Sequence, residues 1–178
     1  SLSSLRNDIN LKLLVIDNSL DTTDNSEFKN ILNKSSIDYE IINHKNDEYK
    51  NKIQNDNNKE TFGNLSSLLK CYETAKLEVK DLVYFVEDDY IHEEKCLFEM
   101  IETYERISSQ LKREIFICPS DYPYLYTDIG QSKIFAGSNR HWRTVNKILC
   151  TFLVSKEHLS KYWDNFNKTC LIRNDPFE

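Results

Sequence analysis

Glu87, Asp88 and Asp89 follow one another directly after the apolar run Leu82–Val86. Three adjacent carboxylates repel one another, so either solvent or a bound cation must offset their charge. Oxygen ligands of this kind suit a hard divalent cation, Mg2+ or Mn2+. Mg2+ takes one or two carboxylates and fills its shell with water and substrate phosphate. An acidic chain can hold a diphosphate through such an ion, which would also stabilise charge developing on a diphosphate leaving group. A further acid, Asp17, closes the apolar run "LKLLVI". The plainer alternative is that these acids are solvated, or that Asp89 favours the start of the next helix. Three together, with another strand-end acid upstream, favour the cation.

Opposite charge is concentrated in "GSNRHWRTVNK", Gly137 to Lys147, which holds Arg140, His141, Arg143 and Lys147. Arginine grips phosphate in a bidentate fork, and Trp142 could stack on a sugar face. The alternative is a solvated basic loop with Trp142 packed inward. His141 alone fits a structural or exposed role better than a catalytic one.

Positioning these groups requires strands and helices in a definite order. "LKLLVI" (residues 11–16) reads as a strand, residues 26–34 as a helix and "IDYEII" (37–42) as a second strand. Residues 44–61 are polar and read as a solvated loop. From Gly63, Leu65, Leu68, Leu69, Tyr72 and Ala75 share a helical face. "DLVYFV" is β-rich, apolar and short, and reads as a buried strand. The next helix, Glu93 to about Gln110, carries a stripe of Leu97, Met100, Ile101, Tyr104, Ile107 and Leu111. "EIFIC" (114–118), "KIFAG" and "KILCTFLVS" read as further strands. Ser155 caps a last helix with Leu159, Tyr162, Trp163 and Phe166 on its face. Alternating strands and helices imply an α/β fold with a mainly parallel sheet. Such sheets bind ligands beyond the carboxyl ends of their strands, where Asp17 and the acidic cluster both fall.

Composition narrows the choice. The chain has 178 residues, 39% hydrophobic and 29% charged, enough for one domain with a real core. A net charge of −6 argues against nucleic acid as a partner. With only 3 Gly and 3 Pro, a β-sandwich with many tight turns is disfavoured. The 5 cysteines are widely spaced, with no CxxC, and read as buried thiols of a reducing, cytoplasmic compartment. No apolar run is long enough to span a membrane.

"VIDNSLDTTD" (Val15 to Asp24), then "NHKND" and "FGNLSSLLKCYETAK", then "VYFVEDDY" resemble, in order and spacing, the motifs of family-two glycosyltransferases of the GT-A fold. There a strand ends in Asp within a "VDDxSxDxT" turn, an "N-x-G" loop and helix follow, and a later strand ends in the DxD motif. The resemblance runs across roughly residues 1–120 and more loosely to 170. It implies one GT-A-like, Rossmann-like domain over 1–178, with flanking helices, a nucleotide-sugar-binding part (1–120) and an incomplete acceptor-side part (121–178). It also implies transfer from a nucleotide-diphosphate sugar, a UDP-sugar favoured, to a sugar, lipid or protein acceptor, with inversion. Asp17 would sit by the base and Asp88 near the ribose or the metal. Asp89 and Glu87 would be metal ligands, with Glu87 departing from the family's Asp. Arg140, Trp142 and Arg143 would face phosphate or acceptor. The family's base that deprotonates the acceptor hydroxyl points to Asp175 or Glu178 in "NDPFE", with Asp121 in "PSDYP" as another candidate. No QxxRW is present, so processive polymer synthesis is not implied. The family also has an earlier strand, so the chain reads as truncated at both ends, with an uncovered sheet edge or face.

Two other classes compete. "DLVYFVEDD" also mimics a strand of a Mg2+-binding receiver domain, but no Lys-Pro follows and too few residues remain for its later units. An inactive transferase-like domain that binds without turnover is the other. A Walker-type NTPase is excluded, because no GxxxxGK[ST] precedes the acidic strand.

Overall fold

The computed structural model describes residues 9–19, 26–54, 59–127 and 131–172. In chain order the elements are β1 (Lys12–Asp17), α1 (Ser26–Lys34), β2 (Asp38–Asn43), α2 (Lys59–Glu78), β3 (Leu82–Phe85) and α3 (Cys96–Leu111). They continue as β4 (Ile134–Ala136), β5 (His141–Arg143), β6 (Phe152–Ser155), α4 (Lys156–Lys161) and α5 (Trp163–Leu171). Short 3-10 turns stand at Asn46–Tyr49 and Pro123–Tyr126. The class is mixed α/β, as expected. A single mainly parallel sheet is not what the described strands form: β1 and β2 pair in parallel, whereas β3–β6 and β4–β5 are antiparallel two-stranded sheets. Alternation implies parallel neighbours only where successive strands pair, and β3 takes its partner from much later in the chain.

The chain divides into two units, one holding Val79–Tyr162 and the other, in its described part, residues 9–78 and 163–172. The borders lie after Glu78 and after Tyr162.

In the unit built on β1 and β2, the register runs from Lys12 opposite Asp38 to Asp17 opposite Asn43, so both carboxyl ends finish level. Glu27 in the first turn of α1 and Lys34 in its last complement the helix dipole. The α2 stripe is buried at Leu65, Leu69, Tyr72 and Ala75. Tyr72 meets Phe166 of α5 edge-on at 5.1 Å. The polar segment after β2 is better anchored than its composition implies. Tyr49 and Ile53 are only 4% and 3% exposed, and the Tyr49 hydroxyl donates to Glu73 at 2.5 Å. The 3-10 turn sends Tyr49 inward, and the turn after it, in which the Ile53 N–H donates to Tyr49 O at 3.0 Å, does the same for Ile53.

In the unit built on β3, Met100, Tyr104, Ile117 and Leu153 form the core, with Leu82, Tyr84, Leu97 and Trp142 half-buried against it. β3 itself is half-buried except at Phe85, and Val86 lies 53% exposed, so the apolar run outlasts the strand. Helix α3 begins at Cys96 and ends where Lys112 turns left-handed at φ 52°. There the Arg113 N–H donates to Ser108 O and the Lys112 N–H to Ser109 O, which satisfies two terminal carbonyls. The expected strand 114–118 is reduced to one bridge, Ile117 with Leu153. The basic stretch holds a strand, β5, where the sequence reads as a loop. The last helix is indeed capped by Ser155, whose hydroxyl accepts the His158 N–H at 3.1 Å. It breaks at Tyr162 (φ −104°, ψ 21°), which leaves two short helices where one stripe suggests one.

None of the five cysteines is in a disulfide; Cys170 is buried and the other four half-buried. Among the described residues no helix is long and apolar enough to cross a membrane.

Candidate functional site

β3 leaves its ladder after Phe85, which pairs with Phe152. The next anchor is Thr151, fully buried, whose hydroxyl oxygen accepts the Glu87 N–H at 3.2 Å. Beyond it the side chains of Glu87, Asp88 and Asp89 are exposed. The Glu87 carboxyl is pushed above its ordinary range by partial burial, then by the charges of Asp89 and Asp88, with the Thr151 hydroxyl opposing them. Glu87 and Asp89 therefore feel each other, and a cation between them would relieve the repulsion. Among the described residues no group of three or more His, Cys, Asp or Glu side chains is placed to hold an ion. An ion here would take two carboxylates from the chain and the rest of its shell from water and phosphate, which is how Mg2+ commonly binds. Beside the cluster the Tyr90 and Tyr122 hydroxyls are hydrogen-bonded. Burial, that bond and the nearby Glu87 and Asp89 raise the Tyr90 phenol far above its usual range.

The basic stretch has a definite shape. β4 and β5 form a hairpin in which Phe135 faces Trp142, closed by the Gly137 N–H donating to Arg140 O at 2.8 Å. Arg140 pairs with Glu93 in a solvated ion pair, which adds little stability. Arg143 grips Asp121, from Nη2 to Oδ1 at 2.5 Å and from Nε at 3.2 and 3.3 Å, and its guanidinium lies 4.3 Å from the Tyr126 ring centre. Tyr126 also donates to Asp121. Arg143 foremost, with Tyr126, holds the Asp121 carboxyl below its ordinary range. A general base works best with a pKa near the working pH, so Asp121 is poorly set for that role while it holds Arg143. Trp142 packs inward, not outward as a sugar platform, and its indole N–H points at Glu99 Oε1, 3.4 Å away.

Glu99 is the residue sequence reading misses. It is 5% exposed, yet its carboxylate accepts the Asn139 N–H at 3.0 and 3.2 Å and the Asn139 side-chain amide at 2.9 Å. Thr103 adds a fourth donor group at 3.3 Å. Burial opposes ionisation here, but the Asn139, Trp142 and Thr103 donors together outweigh it and hold the pKa below the ordinary value. The available signal was the Glu99–Thr103 pair, i and i+4 on the flank of an apolar stripe.

In the other unit, Asp17 stands at the carboxyl end of the parallel pair, half-buried, as expected. Its carboxylate accepts the Ser19 N–H at 2.9 Å, and its carbonyl accepts the His44 N–H at 2.7 Å. Asn18 donates to the Ser67 hydroxyl at 2.6 Å. These contacts give the strand end a polar rim backed by α2. Asp175 and Glu178 lie outside the described residues.

His44 is 4% exposed, and burial lowers its pKa, with Glu48 opposing. His158, half-buried against Phe116 at 5.2 Å, is lowered by burial too. A base whose folded pKa is depressed favours folding fully above its unfolded value, about 6.5, and loses that contribution as pH falls through the folded value. The urea midpoint should therefore drop between pH 7 and pH 5, with a shallower drop in His44→Gln. A flat profile, or one unaltered in the variant, would contradict this assignment.

No family model matches the sequence, and neither a curated protein nor a solved structure matches it.

Proposed function

We propose that this chain is a GT-A-like domain that binds a nucleotide-diphosphate sugar together with Mn2+ or Mg2+ and transfers the sugar, with inversion, to a sugar, lipid or protein acceptor. The observation that carries the reading is the end of β3: exposed Glu87 and Asp89 feel each other's charge and leave the strand from an anchored backbone. In this reading Glu87 and Asp89 bind the ion, Asp88 lies near ribose or metal, and Asp17 accepts from a uracil-type N–H. Arg140, Arg143 and Trp142 fit this reading less directly, since each is engaged with Glu93, Asp121 or Glu99. A receiver-type module is disfavoured, because no Lys-Pro follows the acidic strand.

The test is a thermal-shift screen of nucleoside diphosphates and their sugars, with and without Mn2+, followed by assay of nucleotide release from the stabilising donors. Metal-dependent stabilisation by one nucleotide family with release of nucleoside diphosphate supports transfer; stabilisation without release leaves a binding domain. Stabilisation by none of them removes the reading. Asp17→Ala should weaken uridine-nucleotide binding by about 1–3 kcal/mol, the size of a hydrogen bond to a charged group. An unchanged dissociation constant would take Asp17 out of the site.

A further inference from the structure

The buried His44 ring is constrained at both nitrogens. The Ser66 hydroxyl, itself on a fully buried residue, donates its one hydrogen to Asn46 O at 3.2 Å. With its hydrogen on Asn46 O, the hydroxyl meets His44 Nε2, 2.7 Å away, as an acceptor, and the tautomer that fits this arrangement is the one protonated at Nε2. The neutral ring is left with a bare Nδ1. That atom is buried without a hydrogen-bond partner, and the nearest carboxylate oxygen, Glu48 Oε2, stands 3.6 Å from it. A bare nitrogen and a carboxylate both offer lone pairs and cannot bond; one proton converts the contact into a charge-assisted hydrogen bond.

We propose that His44 is a proton-operated latch: a proton taken at Nδ1 lets the ring donate to Glu48, which fastens the Asn46–Tyr49 turn to the end of β2. The same carboxylate oxygen now accepts from Lys70 at 3.2 Å, and the other Glu48 oxygen accepts the Lys45 N–H at 3.3 Å. Closing the latch draws Glu48 from Lys70 toward the ring while leaving the Lys45 contact in place. The charged groups facing the ring are Glu48 from the turn and Lys70 and Glu73 from α2; Tyr49 lies 5.4 Å away between ring centres. From β1 the Asp17 carbonyl accepts the His44 backbone N–H. Glu48 and Glu73 favour the proton, Lys70 and burial oppose it, and burial is the largest influence. The latch is thus open at neutral pH and closes in mild acid.

Imidazole 15N spectra of the whole chain test this directly. At pH 8 the His44 signals should show the tautomer protonated on Nε2, and on acidification Nδ1 should gain the proton. Glu48 is exposed, so Glu48→Gln leaves the core intact; it should move the His44 titration midpoint to lower pH. A ring protonated on Nδ1 at pH 8, or a midpoint that Glu48→Gln leaves in place or raises, would overturn the latch.

Discussion

Glu99→Ala should cost about 3 kcal/mol of folding stability and loosen the β4–β5 hairpin from α3. The loss comes from stranded donors, since the Asn139 N–H and side-chain amide, the Trp142 indole and the Thr103 hydroxyl all aim at this one buried carboxylate. An unpaired buried donor costs about 1–3 kcal/mol, and water entering the alanine cavity recovers part of the sum. Glu99→Gln keeps one acceptor oxygen and should lose about 1 kcal/mol. The pH dependence has a fixed sign. Because the folded carboxyl is held below its ordinary value, its contribution is complete above about pH 4.3 and fades as pH falls through the folded pKa. Urea unfolding at pH 7 and at pH 3 measures both effects: the gap between parent and Glu99→Gln should narrow in acid. Equal stability of Glu99→Ala and parent at pH 7 would show that the carboxylate does not hold the hairpin.

Gly137→Ala should cost about 1–3 kcal/mol, the usual range for overpacking. A methyl there would stand 2.5 Å from Trp142 Nε1 and 2.6 Å from Thr103 Oγ1, closer than non-bonded atoms approach. Thr103 is fully buried and has no room to withdraw, whereas Trp142 is half-buried against the core and is the neighbour that can give way. The indole must tilt away and leave Glu99, so the tryptophan emission should shift with stability. Both substitutions strike one contact set, so their costs should not add. The double variant should lose less than the sum of the two singles, and strict additivity would place Gly137 and Glu99 in independent structures.

What could be read in advance follows from the range of each interaction. β1, α1, β2 and the α2 and α3 stripes were legible because period and capping act within a few residues. Asp17 at a strand end was legible for the same reason. The partner of β3 was not: antiparallel pairing with β6 depends on where the chain returns after α3 and the hairpin. β5 was hidden because three residues, His141–Arg143, carry no period of their own and take strand form from Ile134–Ala136 opposite. Arg143 announced itself as a cation, but its commitment to Asp121 spans a loop and a hairpin. Thr151 and Glu99 look ordinary in sequence, and only folding shows that one anchors the acidic cluster and the other the hairpin turn.

In the proposed function Glu87 and Asp89 bind a nucleotide through a cation, a claim that calorimetric titration of UDP into the whole chain puts to the test. Titrations are run with Mn2+ and with chelator, on the parent and on Asp89→Asn. The exposed position of Asp89 means that the variant should keep the parent's melting temperature in the absence of ligand. The expected result is a dissociation constant at least about tenfold lower with Mn2+ for the parent, about 1.4 kcal/mol, and no gain for Asp89→Asn. Equal UDP affinity with and without Mn2+ in the parent would contradict the claim.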